Sequence, residues 1–221
     1  MLDPQEEAKF DELKAMCREL KVPSPPEIMI GLKVHDKDGN LTFDDVQRGH
    51  SWTRNFWQNI GSFLTGGLKG DASGLFGAGY MSFKANIGTI YSNSSYSGGM
   101  PTYTIVVGTG DTAFNVNDYA MAGLIANGTG SGQFSYQSQS AVSRSYAAKV
   151  WKGTFSRIMN NNSGGSITVK ETGFNAELTA FGANTDTCLS ERSVLSPTVA
   201  VANGAQFTVT YEISMDFSAI D

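Results

Sequence analysis

Hydrophobic and polar residues alternate through much of the chain, and period two predicts strands rather than helices. Near the C-terminus Phe207, Val209, Tyr211, Ile213 and Met215 alternate with Thr208, Thr210, Glu212 and Ser214, after an entry turn at Ala202-Asn203-Gly204. Between Lys149 and Phe174, Trp151, Phe155 and Met159 share a face with Gly153, and Lys152, Thr154, Ser156 and Ile158 take the other. The polar run Asn160 to Gly165 then supplies turn residues, and Ile167 and Val169 resume the alternation against Ser166, Thr168 and Lys170. This stretch predicts a hairpin with one apolar and one wetted face. A hairpin is marginal alone in water, so a second sheet or a subunit must cover it.

Earlier in the chain Ile28, Ile30, Leu32 and Val34 make a strand, with Leu41-Thr42-Phe43 and Val46 in its return partner. Asp36-Lys37-Asp38-Gly39-Asn40 between them is similar to the middle of an EF-hand calcium loop. Val34 stands where the first ligand should be and Asp45 where a bidentate Glu is needed, so a hairpin turn is the expectation and no metal or cofactor is assigned. Further strands are expected at Ala85 to Tyr91, Thr102 to Val107 and from Gln133 to Gln137, with short ones at Glu177 to Phe181 and Asp186 to Leu189. Ser190 to Pro197 reads as a polar connection.

Three stretches carry helical spacing. Asp3-Pro4-Gln5-Glu6 is a capped helix start, and Phe10, Leu13, Met16, Cys17 and Leu20 then recur at three- and four-residue steps until Val22-Pro23. Two readings are open: the stripe packs on its own domain, or it projects past the Ser24-Pro25-Pro26 spacer onto a partner. Trp52, Phe56, Ile60 and Phe63 share a second helical face after Ser51, as a core plug or as an anchor for a neighbouring subunit that includes Trp57. Asn115 to Ile125 suggests a brief third helix.

Composition narrows the function classes. At 221 residues the chain has room for one sizeable domain and an appendage, and its net charge of -5 gives no basic footprint for nucleic acid or anionic lipid. Of its charged residues, 18 fall in the first 50 positions and 19 in the remaining 171, so the N-terminal segment is a different kind of surface. Cys17 and Cys188 are expected to be free thiols, and the absence of a leader or apolar span predicts a soluble chain made in the cytosol. His35 and His50 lack any Cys/His or paired-carboxylate spacing around them, and the glycine-rich stretch from Gly61 to Gly79 lacks a phosphate-loop ending, so no enzyme is predicted. Tyr91, Tyr96 and Tyr103 around Ser92 to Pro101 are the candidates for a glycan-binding alternative.

Several blocks, in order, resemble a class of tailed-bacteriophage virion proteins. They are Asp36 to Asn40 with Trp52-Thr53-Arg54-Asn55-Phe56, Ile105 to Gly110, Asp118-Tyr119-Ala120-Met121, Asn161 to Gly164 with Ile167 to Glu171, and Glu191-Arg192 through Thr208 to Glu212. The resemblance spans residues 28 to 217 and implies a structural component of a virion, located there after synthesis in the host cytoplasm. It leaves capsid, neck and tail open.

The expected fold is therefore mainly β, an antiparallel β-sandwich of jelly-roll-like topology with an N-terminal amphipathic helix and one or two short helices. Residues 1–26 form a docking helix and spacer, and 27–221 the sandwich. Phe10, Leu13, Met16, Leu20, Trp52 and Trp57 are the expected docking residues. The expected partners are other virion proteins and copies of the chain itself, as a trimer or higher ring. A glycan receptor at a tail tip is the alternative.

Overall fold

The computed structural model describes residues 4–49, 52–57, 105–179 and 185–220, without the side chains of 4, 6, 176–179 and 185–188. Among the described residues one helix, α1 (Pro4–Leu20), precedes nine strands: β1 (Glu27–His35), β2 (Leu41–Arg48), β3 (Ile105–Gly108), β4 (Ser135–Tyr136), β5 (Ser143–Ala147), β6 (Val150–Asn160), β7 (Ile167–Thr179), β8 (Thr185–Val201) and β9 (Gln206–Asp216). They form two antiparallel sheets. The first has the order β2-β1-β9-β6-β4, with β5 also on β6, and the second the order β3-β7-β8.

The alternation in β1 and β9 sets the first sheet's inner face. Ile30 lies beside Tyr211, Leu32 beside Val209 and Val34 beside Phe207, all of them buried. On the other side of β9, Phe155 and Met159 of β6 continue that face. Ile167, Val169, Phe174, Leu195, Val199 and Val201 of the second sheet pack against them in one core. Phe155 sits 5.2 Å from Phe174 across the sheets and 5.7 Å from Tyr211 within its own. The result is a β-sandwich.

The stretch from Lys149 to Phe174 is not a hairpin. β6 pairs with β9, β4 and β5, whereas β7 pairs with β3 and β8, so residues 161–166 carry the chain from one sheet to the other. Asn161, fully buried, holds this crossing by donating from Nδ2 to the carbonyls of Gly165 and Val201. The turn at 202–205 makes the return crossing, with Gly204 at a φ of 81°. Ser190 to Pro197 is likewise not a connection but part of β8, a strand of 17 residues.

Irregular pairing explains why β7 and β8 hide their pattern. Ile167 and Val169 face the core, but the register shifts between Val169 and Glu171, after which Thr172 and Phe174 face it instead. A bulge of this kind exchanges odd and even positions.

Asn115 to Ile125 forms turns and no helix. Two of its amides bond elsewhere: the Glu171 carboxylate accepts from Ala122 N (3.2 Å) and Gly123 N (2.6 Å), and also from Gly110 N (3.3 Å) upstream. Gly110 permits this approach, since a Cβ there would lie 2.7 Å from Glu171 Oε1. Arg192 Nε donates to the same carboxylate (2.6 Å), and its other nitrogens reach Asp118 and Thr112. One buried ion pair thus staples residues 109–124 to the outer face of the second sheet.

The open side between β6 and β3 is closed by side chains in place of strand pairing. Gln139 Oε1 accepts from Ile105 N, Arg157 Nη1 donates to Ile105 O, and the Tyr136 hydroxyl donates to Ile125 O. Burial lowers the Arg157 pKa to about 10, which still leaves it charged at neutral pH.

Residues 36–40 form the expected hairpin turn, with Gly39 at a φ of 84°. The Asp36 carboxylate accepts from Asn40 Nδ2 and from the amides of Asn40 and Asp38, which holds its pKa below the usual carboxylate value.

Candidate docking surface

Helix α1 forms as its sequence predicts and ends in a defined cap. Lys21 adopts a φ of 54°, Val22 N donates to Cys17 O and Lys21 N to Arg18 O, the paired bonds of a Schellman ending. The spacer that follows is bonded to the sandwich. Ser24 N donates to Asp216 O, Ser24 Oγ accepts from Asp216 N, and Pro26 O accepts from Trp52 Nε1 at 3.1 Å.

The helix lies on the sandwich with a charged face. Arg48 at the end of β2 donates through Nε and Nη2 to Glu7 (2.8–3.0 Å) and through Nη1 to Glu27. Lys14 reaches the other oxygen of Glu27 at 3.3 Å. Burial opposes the Arg48 charge, but its bonds to Glu7 and Glu27 outweigh that, and its pKa is raised. Phe10 is half-buried beneath Arg48 and Lys14, whose charged groups stand 4.1 and 4.6 Å from the ring centroid. Cys17 is a free thiol and is buried.

The six residues predicted to dock divide into two groups. Phe10 and Trp52 are turned into their own chain. Trp52 is buried, stacks on Phe56 at 3.7 Å and pairs by its backbone with Glu191 rather than lying on a helix; helical structure begins only at Arg54. Leu13, Met16 and Leu20 are exposed by 39, 53 and 70%, and Trp57 by 48%. At 100° per residue, the Leu13-Met16-Leu20 stripe lies about 105° around the helix from the Glu7-Phe10-Lys14-Cys17 face. The chain matches no family model, no curated protein and no solved structure. Nothing beyond its own chemistry bears on the site.

Helix α1, its spacer and Trp52 meet the sandwich at the end where β1 starts and β9 finishes. Val22 and Ile220 are exposed there too, and Phe217 N bonds Lys149 O in the turn before β6. The opposite end carries the β1–β2 turn and both crossings, around an open polar cleft of about 390 Å³ lined by His35, Asp36, Lys37, Asn160 and Gln206. Among the described residues no group of three His, Cys, Asp or Glu side chains could hold a metal. No described helix is long and apolar enough to cross a membrane.

Sequence reasoning missed the charges that aim the helix. Glu7, Lys14, Glu27 and Arg48 carry no local signal of their pairing, because Glu7 and Arg48 stand 41 positions apart and Glu27 lies between them in sequence. The Tyr91, Tyr96 and Tyr103 candidates lie outside the described residues, as do Ile60 and Phe63, the strand expected at Ala85 to Tyr91 and the glycine-rich stretch.

Proposed function

We propose that the protein is a non-catalytic structural subunit of a tailed-phage virion that docks on neighbouring virion proteins through the helix end of its sandwich. The virion assignment rests on the ordered blocks described above. The docking mode rests on one observation: α1 spends its charged face on its own domain and holds Leu13, Met16 and Leu20 outward. A helix of 17 residues is unstable alone in water, and these ion pairs keep it formed before any partner arrives. Exposed apolar side chains such as these drive association when a partner removes them from water.

The test is incorporation. A variant carrying Leu13→Glu, Met16→Glu and Leu20→Glu is expected to keep the melting temperature of the parent and to be lost from purified particles. Normal incorporation of that variant would overturn the docking reading, and electron microscopy placing the chain outside the particle would overturn the virion assignment.

A further inference from the structure

We propose that the outer edge of β5 is an interface between two copies of this chain, which join their first sheets into one across a two-fold axis. β5 pairs with β6 alone, and all five of its residues are exposed. Among the described residues no hydrogen-bond partner stands on its other edge. Natural edge strands discourage such pairing with charged side chains, above all Lys, with Pro, with bulges or with a covering segment. Ser143-Arg144-Ser145-Tyr146-Ala147 has no Lys or Pro, its pairing with β6 runs without a register shift, and its one charge, Arg144, is the group that a two-fold register can set against a tyrosine ring.

The sequence of β5 complements itself in one antiparallel register. With the axis at Ser145, Ser143 faces Ala147 of the second copy, Ser145 faces its equivalent, and Arg144 faces Tyr146 twice. A guanidinium over a tyrosine ring is attractive, and cross-strand neighbours are close enough to use it. Slipping the register by two residues would instead place Arg144 opposite Arg144 or Tyr146 opposite Tyr146. The first of these is repulsive, so charge selects against it.

The hairpin behind β5 prepares that row. Tyr146, 65% exposed, stands beside Trp151 on β6, and Arg144 stands beside Gly153. Trp151 folds over Gly153, where a Cβ would lie 2.7 Å from the ring. Across the axis the row therefore runs Trp151, Tyr146, Arg144 and Gly153, with the last two from the second copy. Such a contact is isologous and closes at two, so a ring of copies would need a different surface. It does not depend on the docking reading, since none of its residues lies on α1.

The experiment is sedimentation of the full chain over a concentration series, with hydrogen exchange at 143–147. The expected result is a dimer by about 100 µM, with protection of these amides rising with concentration. Tyr146→Lys, which sets Lys opposite Arg144, should weaken the dimer by at least about tenfold. Adding Arg144→Glu to that variant sets Glu opposite Lys and should restore it. A monomer throughout, or a Tyr146→Lys variant dimerising like the parent, would overturn the inference. So would a dimer abolished by the Leu13, Met16 and Leu20 variant, which would place the contact on the helix. An unchanged melting temperature for each variant separates lost pairing from lost folding.

Discussion

Glu191 has no solvent-exposed surface and lies between the sheets, accepting a 2.6 Å bond from the Tyr211 hydroxyl and a second from Ser193. Thr172 stands 3.2 Å from the same Tyr211 oxygen, and Arg192, on the next position of β8, points to the other face. Burial pushes the Glu191 carboxyl up to about 7, with the two hydrogen bonds and Arg192 opposing it. Burial and the adjacent carboxylate raise Tyr211 as well. An acid whose folded pKa lies above its unfolded value favours folding below the unfolded pKa, and that advantage is lost as pH rises through the folded one. Stability should therefore fall between about pH 4.5 and 7, by about 3 kcal/mol in all from this group. Melting curves of the parent and of Glu191→Gln should differ in slope across that window, the parent losing roughly 6 to 12 °C more. Parallel pH profiles would show that Glu191 does not titrate there. None of this was legible in Ser190 to Pro197: buried Glu191, Arg192 and Ser193 look like a polar loop, because their partners come from β7, β9 and residues 112–118. The alternating strands β1 and β9 were legible because apolar side chains alone define their inner face.

At the scale of elements, local chemistry revealed the pieces better than their pairing. α1 showed its helical spacing and its stop at Val22-Pro23, and the β1–β2 hairpin showed its Asp-Gly turn. The segment from Lys149 to Phe174 showed two strands correctly, but two strands with apolar faces fit equally a hairpin in one sheet and a crossing between two. Alternation is the same in both cases; only the choice of neighbours differs, and that is decided by β9 and β8 elsewhere in the chain. The true hairpin is β5–β6, whose two turn residues Ala148 and Lys149 have φ of 50° and 62°. Both conformations suit Asn-Gly and strain residues with a Cβ, at roughly 1–2 kcal/mol each. Replacing Ala148 by Asn and Lys149 by Gly is expected to stabilise the chain by about 1 kcal/mol, read as a higher urea midpoint with an unchanged slope. A lower midpoint would mean that Lys149, which also bonds Ile220 O, contributes more through that contact than it costs in the turn.

For the molecule as a whole, the question is where the sandwich begins. Charge density changes near residue 50, but the bonding boundary lies between Val22 and Pro23. Ser24 exchanges hydrogen bonds with Asp216, and Pro26 accepts from Trp52, so the Ser24-Pro25-Pro26 segment is bonded to the sandwich. Helix α1 adds ion pairs at the surface, a half-buried Phe10 and one buried thiol, and it crosses no part of the core between the sheets. Arg48 and Glu27 would remain to satisfy each other without it. Partly exposed ion pairs contribute little individually, and one small buried side chain adds about as much again, so α1 accounts for about 1–3 kcal/mol. Deleting residues 1–22 should therefore leave a cooperatively folded sandwich whose melting temperature falls by roughly 3 to 10 °C. Deleting 1–26 should cost more, because it also removes the bonds to Asp216 and Trp52. Thermal melts of the two truncations decide this: equal losses would place the boundary after Pro26, and aggregation of the shorter deletion would make α1 part of the fold itself.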